Sequence, residues 1–288
     1  MAGNTLQLKR VSATSTHPAG VRETAVVSKL IDTSTCIGCK ACEVACQEWN
    51  DLPVVHTTQG GTYQTVPKTT PEFWNLIKFA ENETQDSFSW LMRKDQCMHC
   101  EDPGCLAACP APNAIVQYNN GIVDFQQENC IGCGYCIAGC PFDIPRLSMT
   151  TKKVYKCTLC VDRISVGLEP ACVKACPTGC LSYGTKADMV AKGNKRVAQL
   201  KANGFQSAML YDPQGVGGTG VVTVLAHGDS IEKYGLPRDP TIPLTVQLWK
   251  GPLKWVGNVA ILAGLAGLFL HYINYGPKDR DDKPHSGN

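Results

Sequence analysis

The sequence predicts an α+β chain in which two small modules of short helices and hairpins are followed by one C-terminal transmembrane helix. Sixteen of the seventeen cysteines fall into four runs of four. Near the C-terminus, residues 255–275 hold 21 residues without a formal charge, long enough as a helix to cross one hydrocarbon core. At 288 residues and 43% hydrophobic content the chain has material for two compact cores and an appendage.

In chain order, residues 1–30 are rich in Ser and Thr and lack an apolar core segment, so no signal peptide is read there. Lys9-Arg10 falls short of a twin-arginine signal. These residues read as an N-terminal arm that lies on a partner. The first cysteine run follows as Cys36, Cys39, Cys42 and Cys46. Residues 50–90, with Trp74 and Trp90, read as a helix-like packing stretch. The second run is Cys97, Cys100, Cys105 and Cys109, followed by Pro110. A hairpin is signalled by Ile115–Tyr118, then Asn119-Asn120-Gly121, then Ile122–Phe125. The third run is Cys130, Cys133, Cys136 and Cys140 with Pro141, and the fourth is Cys157, Cys160, Cys172 and Cys176 with Pro177.

The third run, Cys130-Ile-Gly-Cys133-Gly-Tyr-Cys136-Ile-Ala-Gly-Cys140-Pro141, has the spacing with which bacterial ferredoxins hold cubane iron–sulfur clusters. Three cysteines at three-residue steps wrap one cluster, and the fourth, ahead of a Pro that turns the chain away, reaches a neighbouring cluster. Two interlocked runs therefore build two clusters, and four runs imply four [4Fe–4S] clusters in two ferredoxin-like modules related by pseudo-symmetry. Between Cys42 and Cys46 a helix rises roughly 6 Å, which keeps a cluster pair on the order of 10 Å apart. The first run has Gln47 where the Pro would stand.

The short hairpin linking Cys109 to Cys130 has the layout of one two-cluster module, so the second and third runs pair and the first and fourth pair across them. This nested reading gives Cys36, Cys39, Cys42 and Cys176 to cluster 1, and Cys46, Cys157, Cys160 and Cys172 to cluster 2. Cys97, Cys100, Cys105 and Cys140 go to cluster 3, and Cys109, Cys130, Cys133 and Cys136 to cluster 4. Zinc sites use pairs of CxxC motifs or CxxC with histidines, not triplets ending in Cys-Pro. Ligands at two-residue gaps are poorly placed for structural disulfides, seventeen thiols make an unlikely disulfide set, and a [3Fe–4S] centre needs a run one ligand short. Cys180 is left as a spare buried thiol.

Residues 186–203 read as an amphipathic helix with Met189, Val190, Val197 and Leu200 on one face, and Val221–Ala226 as a strand. Gly215-Val-Gly-Gly-Thr-Gly220 lacks the Lys-Ser/Thr of a phosphate loop and reads as a turn. The Gly- and Pro-rich stretch from Tyr211 to Pro243 reads as an excursion leading to the membrane helix. Trp249 and Trp255 at one end and Tyr272 and Tyr275 at the other suit the two lipid interfaces, and Ala260, Ala263, Gly264 and Gly267 suit close packing with other membrane helices. The flanking charges tie, with Arg238, Lys250 and Lys254 against Lys278, Arg280 and Lys283, so they set no orientation. His271 reads as an interfacial polar residue, and His99 as a group that tunes cluster 3 by its dipole or faces solvent.

Two negative charges per oxidised cluster take the formal charge of +2 to roughly −6, which gives no electrostatic case for nucleic acid. No nucleophile–base pair stands out, so no catalytic residue is named. A chain loaded with redox centres and lacking a substrate pocket reads as a wire.

Three segments and the single C-terminal helix carry a resemblance. They are Cys36-Ile-Gly-Cys39-Lys-Ala-Cys42, Cys130 through Cys140-Pro-Phe-Asp-Ile-Pro-Arg146, and Tyr155-Lys-Cys157-Thr-Leu-Cys160-Val-Asp-Arg163. Together they resemble the iron–sulfur beta subunit of respiratory membrane-bound formate dehydrogenase, and Leu210-Tyr-Asp-Pro-Gln-Gly-Val-Gly-Gly-Thr219 is similar as well. The cysteine runs alone are shared with four-cluster subunits of dimethyl sulfoxide and polysulfide reductases, so an equivalent subunit of such a reductase, or of a hydrogenase, is the alternative. The resemblance implies a non-catalytic subunit that passes electrons from a large molybdopterin (Mo or W) formate-oxidising subunit to a membrane cytochrome b subunit and quinone. It also supports the nested ligand pairing and implies the bacterial inner membrane, with the cluster domain in the periplasm. The expected boundaries are 1–30 for the arm, 31–90 with 147–186 for the first module, and 91–146 for the second, inserted module. A C-terminal extension is expected at 187–249, the transmembrane helix at 250–276 and a polar tail at 277–288.

Overall fold

The computed structural model describes residues 6–13, 24–83 and 88–276. The polar tail at 277–288, with Lys278, Arg280 and Lys283, lies outside them, as does much of the N-terminal arm. The chain opens with β1 (Leu8–Val11), β2 (Val27–Asp32) and α1 (Ala41–Trp49). A hairpin of β3 (Leu76–Glu83) and β4 (Phe88–Asp95) leads to α2 (Gly104–Ala108), β5 (Ile115–Tyr118), β6 (Val123–Phe125) and α3 (Tyr135–Ala138). Next come β7 (Arg146–Leu147), β8 (Val154–Tyr155), α4 (Val161–Ser165), α5 (Ala171–Lys174) and β9 (Leu181–Thr185). The chain ends with α6 (Lys186–Ala202), β10 (Met209–Tyr211), β11 (Val221–Leu225), α7 (Leu244–Lys250) and α8 (Pro252–Tyr275).

A four-stranded sheet in the order β10-β11-β2-β9 forms the largest core. β11 runs parallel to β2, with Val221 opposite Lys29 and Val224 opposite Asp32, and the outer pairs are antiparallel. All five residues of β11 are buried, as expected for a strand covered on both faces. Helix α6 covers the sheet with Met189 and Leu200 buried and Val190 and Val197 packed beside them, the face the sequence predicts. Its first turn is capped by the Thr185 hydroxyl, which accepts the Asp188 N–H at 3.2 Å.

Three sequence expectations change. The stretch at 50–90 is not helical: its second half enters the hairpin of β3 and β4, registered from Leu76↔Asp95 to Glu83↔Phe88. Three successive charged residues, Arg93, Lys94 and Asp95, are buried in β4, and this hides the alternation by which a strand is read. Trp74 packs against Tyr155, with ring centroids 6.2 Å apart, while Trp90 is about half exposed beside Tyr63. The arm is also woven into its own chain where it is described. β1 pairs antiparallel with β5, Arg10 bridges Asp102 at 2.9 Å, Lys9 bridges Glu101, and β2 is an interior strand of the main sheet. Finally, the segment from Tyr211 to Pro243 is no excursion, because it supplies β11 to the middle of that sheet.

The C-terminal segment forms a second compact unit. Gly251 separates α7 from α8, and within Leu244–Tyr275 the most apolar 18-residue window has a mean hydropathy of 1.8. At 24 residues, α8 is roughly 36 Å long. Leu262, Leu265, Leu268 and Phe269 are all exposed along it, a surface suited to lipid.

Candidate metal centres

Each cysteine run begins with a loop whose backbone is bent the same way. The residue just before the second cysteine lies in the left-handed region in all four: Gly38 (φ 67°), His99 (φ 48°), Gly132 (φ 69°) and Leu159 (φ 55°). Glycine takes this conformation freely, whereas His99 and Leu159 do so at a cost of roughly 1–2 kcal/mol each. The bend turns N–H groups back onto the first sulfur: His99 N–H donates to Cys97 Sγ and Leu159 N–H to Cys157 Sγ, both at 3.4 Å. Such concave sets of N–H groups suit an anionic ligand.

Short helices then deliver the later cysteines. α1 carries Cys42 and Cys46 and packs against α5, which carries Cys172; α2 carries Cys105 and packs against α3, which carries Cys136. The two helix pairs are equivalent parts of a repeated design.

The thiols converge on distinct cavities. Cys36, Cys39, Cys42 and Cys176 line about 370 Å³ of space, with Cys180 and Lys94 beside them. Cys46, Cys157, Cys160 and Cys172 line about 300 Å³, with Lys29 and Lys94. Cys97, Cys100, Cys105 and Cys140 line about 350 Å³, with His99 and Lys156. Cys109, Cys130 and Cys136 share one apolar cluster, and the charges of Cys109, Cys130 and Cys133 all act on Cys136. Among the described residues no three His, Cys, Asp or Glu side chains converge tightly enough for a single metal ion. Four thiols set too far apart for one ion suit a larger, multi-iron group, since a lone zinc ion draws its sulfurs to about 2.3 Å.

The cavities follow one another in space. α1 spans the first and second through Cys42 and Cys46. Cys97 of the third set packs in one apolar cluster with Cys157 of the second. Cys105 of the third set and Cys109 of the fourth lie in another. Cys39 and Cys133 are exposed, so each end of the series reaches the surface.

Burial pushes most of these thiols up: Cys42 and Cys140 to about 11, and Cys46, Cys136 and Cys160 to about 12. Binding iron at these positions therefore displaces protons. Cys172 is held below its usual value because Lys29 and then Lys94 outweigh its burial. A hydrogen bond from Cys180 brings Cys36 down to about 6, and the same bond holds the proton on Cys180. His99 is buried, and its Nδ1 accepts the Val123 N–H at 3.2 Å. Burial first, then Lys156 and Lys29, push its pKa well below the usual value, so it is a neutral group of the interior and does not face solvent.

Sequence reasoning missed the three buried lysines, Lys29, Lys94 and Lys156. Lys156 directly precedes Cys157, a placement that could have marked it; Lys29 gives no such sign. The Gly215–Gly220 segment is a turn, with Gly217 at φ 74° and Gly218 at φ 88°.

Comparison with known proteins bears on this architecture. Two family models described as 4Fe-4S dicluster domain match residues 35–113 and 88–186. Both matches run along the chain, whereas the first two cavities join its first and fourth cysteine runs. A model described as formate dehydrogenase N, transmembrane, matches residues 242–285. The nitrate-inducible formate dehydrogenase iron-sulfur subunit of Escherichia coli is 55% identical over 294 residues, 99% of each chain. The formate dehydrogenase-O iron-sulfur subunit of the same species is 55% identical over 89% of this chain and 86% of its own. The formate dehydrogenase iron-sulfur subunit of Haemophilus influenzae is 56% identical over 89% of this chain and 83% of its own. Two dicluster domains amount to four [4Fe–4S] clusters, and α8 anchors the protein in a membrane. Identity of this depth from end to end leaves one assignment: the chain belongs to the iron–sulfur subunits of membrane formate dehydrogenase, which carry electrons within the complex and do not themselves oxidise formate.

Proposed function

We propose that this subunit carries electrons from a molybdopterin (Mo or W) formate-oxidising subunit to a membrane cytochrome b subunit and on to quinone. The four sets of the nested reading act as the cluster ligands. We further infer two modules, 31–90 with 147–186 and the inserted 91–146, in a protein of the bacterial inner membrane whose cluster domain lies in the periplasm. The observation that carries this reading is the series of four cysteine sets, three of them lining cavities, which begins and ends at exposed thiols. When bound, each [4Fe–4S] cluster accepts and releases one electron at a time.

The chain's own part is to hold spacing and potential. α1 fixes the first two cysteine sets one helical turn apart, α2 with its C-cap Cys109 links the last two, and the Ile144 region packs Cys97 against Cys157 between them. Nothing here needs a substrate pocket.

The test is to purify the intact complex and add formate anaerobically while following the paramagnetic resonance of reduced clusters. Signals from several interacting [4Fe–4S] centres support the relay. Clusters that dithionite reduces and formate does not would point to another donor, such as a hydrogenase or a reductase partner.

A further inference from the structure

Lys94 stands next to the end of β4, and its side chain enters the interior between the first two cavities, lining both. The residue is 2% exposed. Among the described residues its Nζ has no hydrogen-bond partner, although a buried ammonium is expensive unless paired.

The other buried lysines differ in this respect. Lys29 Nζ donates to Gln96 Oε1 at 2.5 Å and approaches Cys172 Sγ at 3.5 Å. Lys156 Nζ donates to the carbonyls of Val123 at 2.5 Å and Cys157 at 2.9 Å. Nor do nearby carboxylates serve Lys94. Glu43 Oε1 accepts the Ile77 N–H and Oε2 the Thr65 hydroxyl, both at 2.6 Å, and Asp95 is taken by Arg93 and Lys78. The groups left to face Lys94 are cysteine sulfurs that become thiolates when they hold a cluster: Cys42 in the first cavity and Cys172, Cys46 and Cys157 in the second.

We propose that Lys94 is a counter-ion shared by the two clusters of the first pair, and that its fixed positive charge raises the reduction potential of both. This rests on reading the cavities as cluster sites. A cation favours the reduced, more negative form of a cluster, and net charge and hydrogen bonds to sulfur are the means by which a protein sets these potentials. In a dry interior the charge is poorly screened, so a single lysine between two cavities acts on both. Lys94, from the 91–146 segment, reaches the cluster pair of the first module.

The test uses the intact complex carrying Lys94→Met or Lys94→Arg, with cluster content from iron and sulfide analysis and potentials from a mediated titration followed by paramagnetic resonance. Titrating with dithionite rather than formate keeps the readout independent of the catalytic partner. Two of the four midpoints should fall in Lys94→Met while the other two stay in place, and Lys94→Arg should keep all four near their wild-type values. Four unchanged midpoints in a fully loaded Lys94→Met complex would overturn the proposal, as would loss of the same clusters from both variants, which would make Lys94 a packing residue. A wild-type complex without four [4Fe–4S] clusters would instead remove the cluster reading beneath it.

Discussion

Cys180 Sγ lies 3.5 Å from Cys176 Sγ, and both line the first cavity. Five thiols therefore surround a space that four would fill. Because its bond to Cys36 holds the proton on Cys180, Cys180 is placed to donate a hydrogen bond to ligand sulfur. Cys180→Ala is expected to retain four clusters with an altered signal from one, and Cys176→Ala to lose or convert one. Iron and sulfide content with paramagnetic resonance decides, and loss of a cluster from Cys180→Ala would reassign the ligand.

Cys133 is an exposed member of the last set. Cys133→Ala should lose or convert cluster 4 and cut formate-to-quinone turnover to background, while formate oxidation by an artificial dye at the catalytic partner continues. Unchanged quinone reduction would sink the relay.

Asp95 pairs with Arg93 at 2.7 Å and Lys78 at 3.0 Å. Burial would raise its carboxyl, but Arg93 and then Lys78 outweigh burial and hold it below the usual carboxylate range. The pairing is thus fully present above the unfolded value and is lost as pH falls through the lower folded one. Asp95→Asn leaves Arg93 buried without its carboxylate and should cost about 3–5 kcal/mol at neutral pH. Denaturant melts at pH 7 and below pH 4 should show the difference between wild type and variant shrinking in acid.

Thr185 caps α6 through its hydroxyl. Thr185→Ala should lower stability by about 1 kcal/mol with cluster content unchanged, read from the melting of the loaded protein.

Leu265 lies near the middle of α8 and is exposed. An arginine there costs about 2.5–3.5 kcal/mol of membrane insertion. Leu265→Arg should move much of the protein to the soluble fraction after an alkaline wash of membranes, and full retention would count against α8 as the anchor.

The cluster loops were legible because ligand spacing is local: Cys130-Ile-Gly-Cys133 announces both its thiols and the glycine that lets the loop curl. Helix α6 was legible for the same kind of reason, its apolar residues recurring at helical spacing after a Thr cap. What the sequence hid depends on distant partners. β11 lies almost two hundred residues from β2, and five buried residues in a row have no alternation to read. The hairpin of β3 and β4 was hidden by the buried run Arg93-Lys94-Asp95. Its charges face cavities and partners that exist only once the fold has formed, and Lys94, where the site departs most from pattern, could not be found by pattern.

The first two cavities draw thiols from both ends of a long stretch, Cys36 to Cys46 on one side and Cys157 to Cys176 on the other. During synthesis the early cysteines must wait for 130 further residues after Cys46, about 7–26 s at ordinary elongation rates. The inner sets, ending at Cys140, are complete sooner. Iron loading on the ribosome would then start in the middle of the chain and finish at its outer pair, leaving the first cysteines for some seconds as open thiols in need of protection.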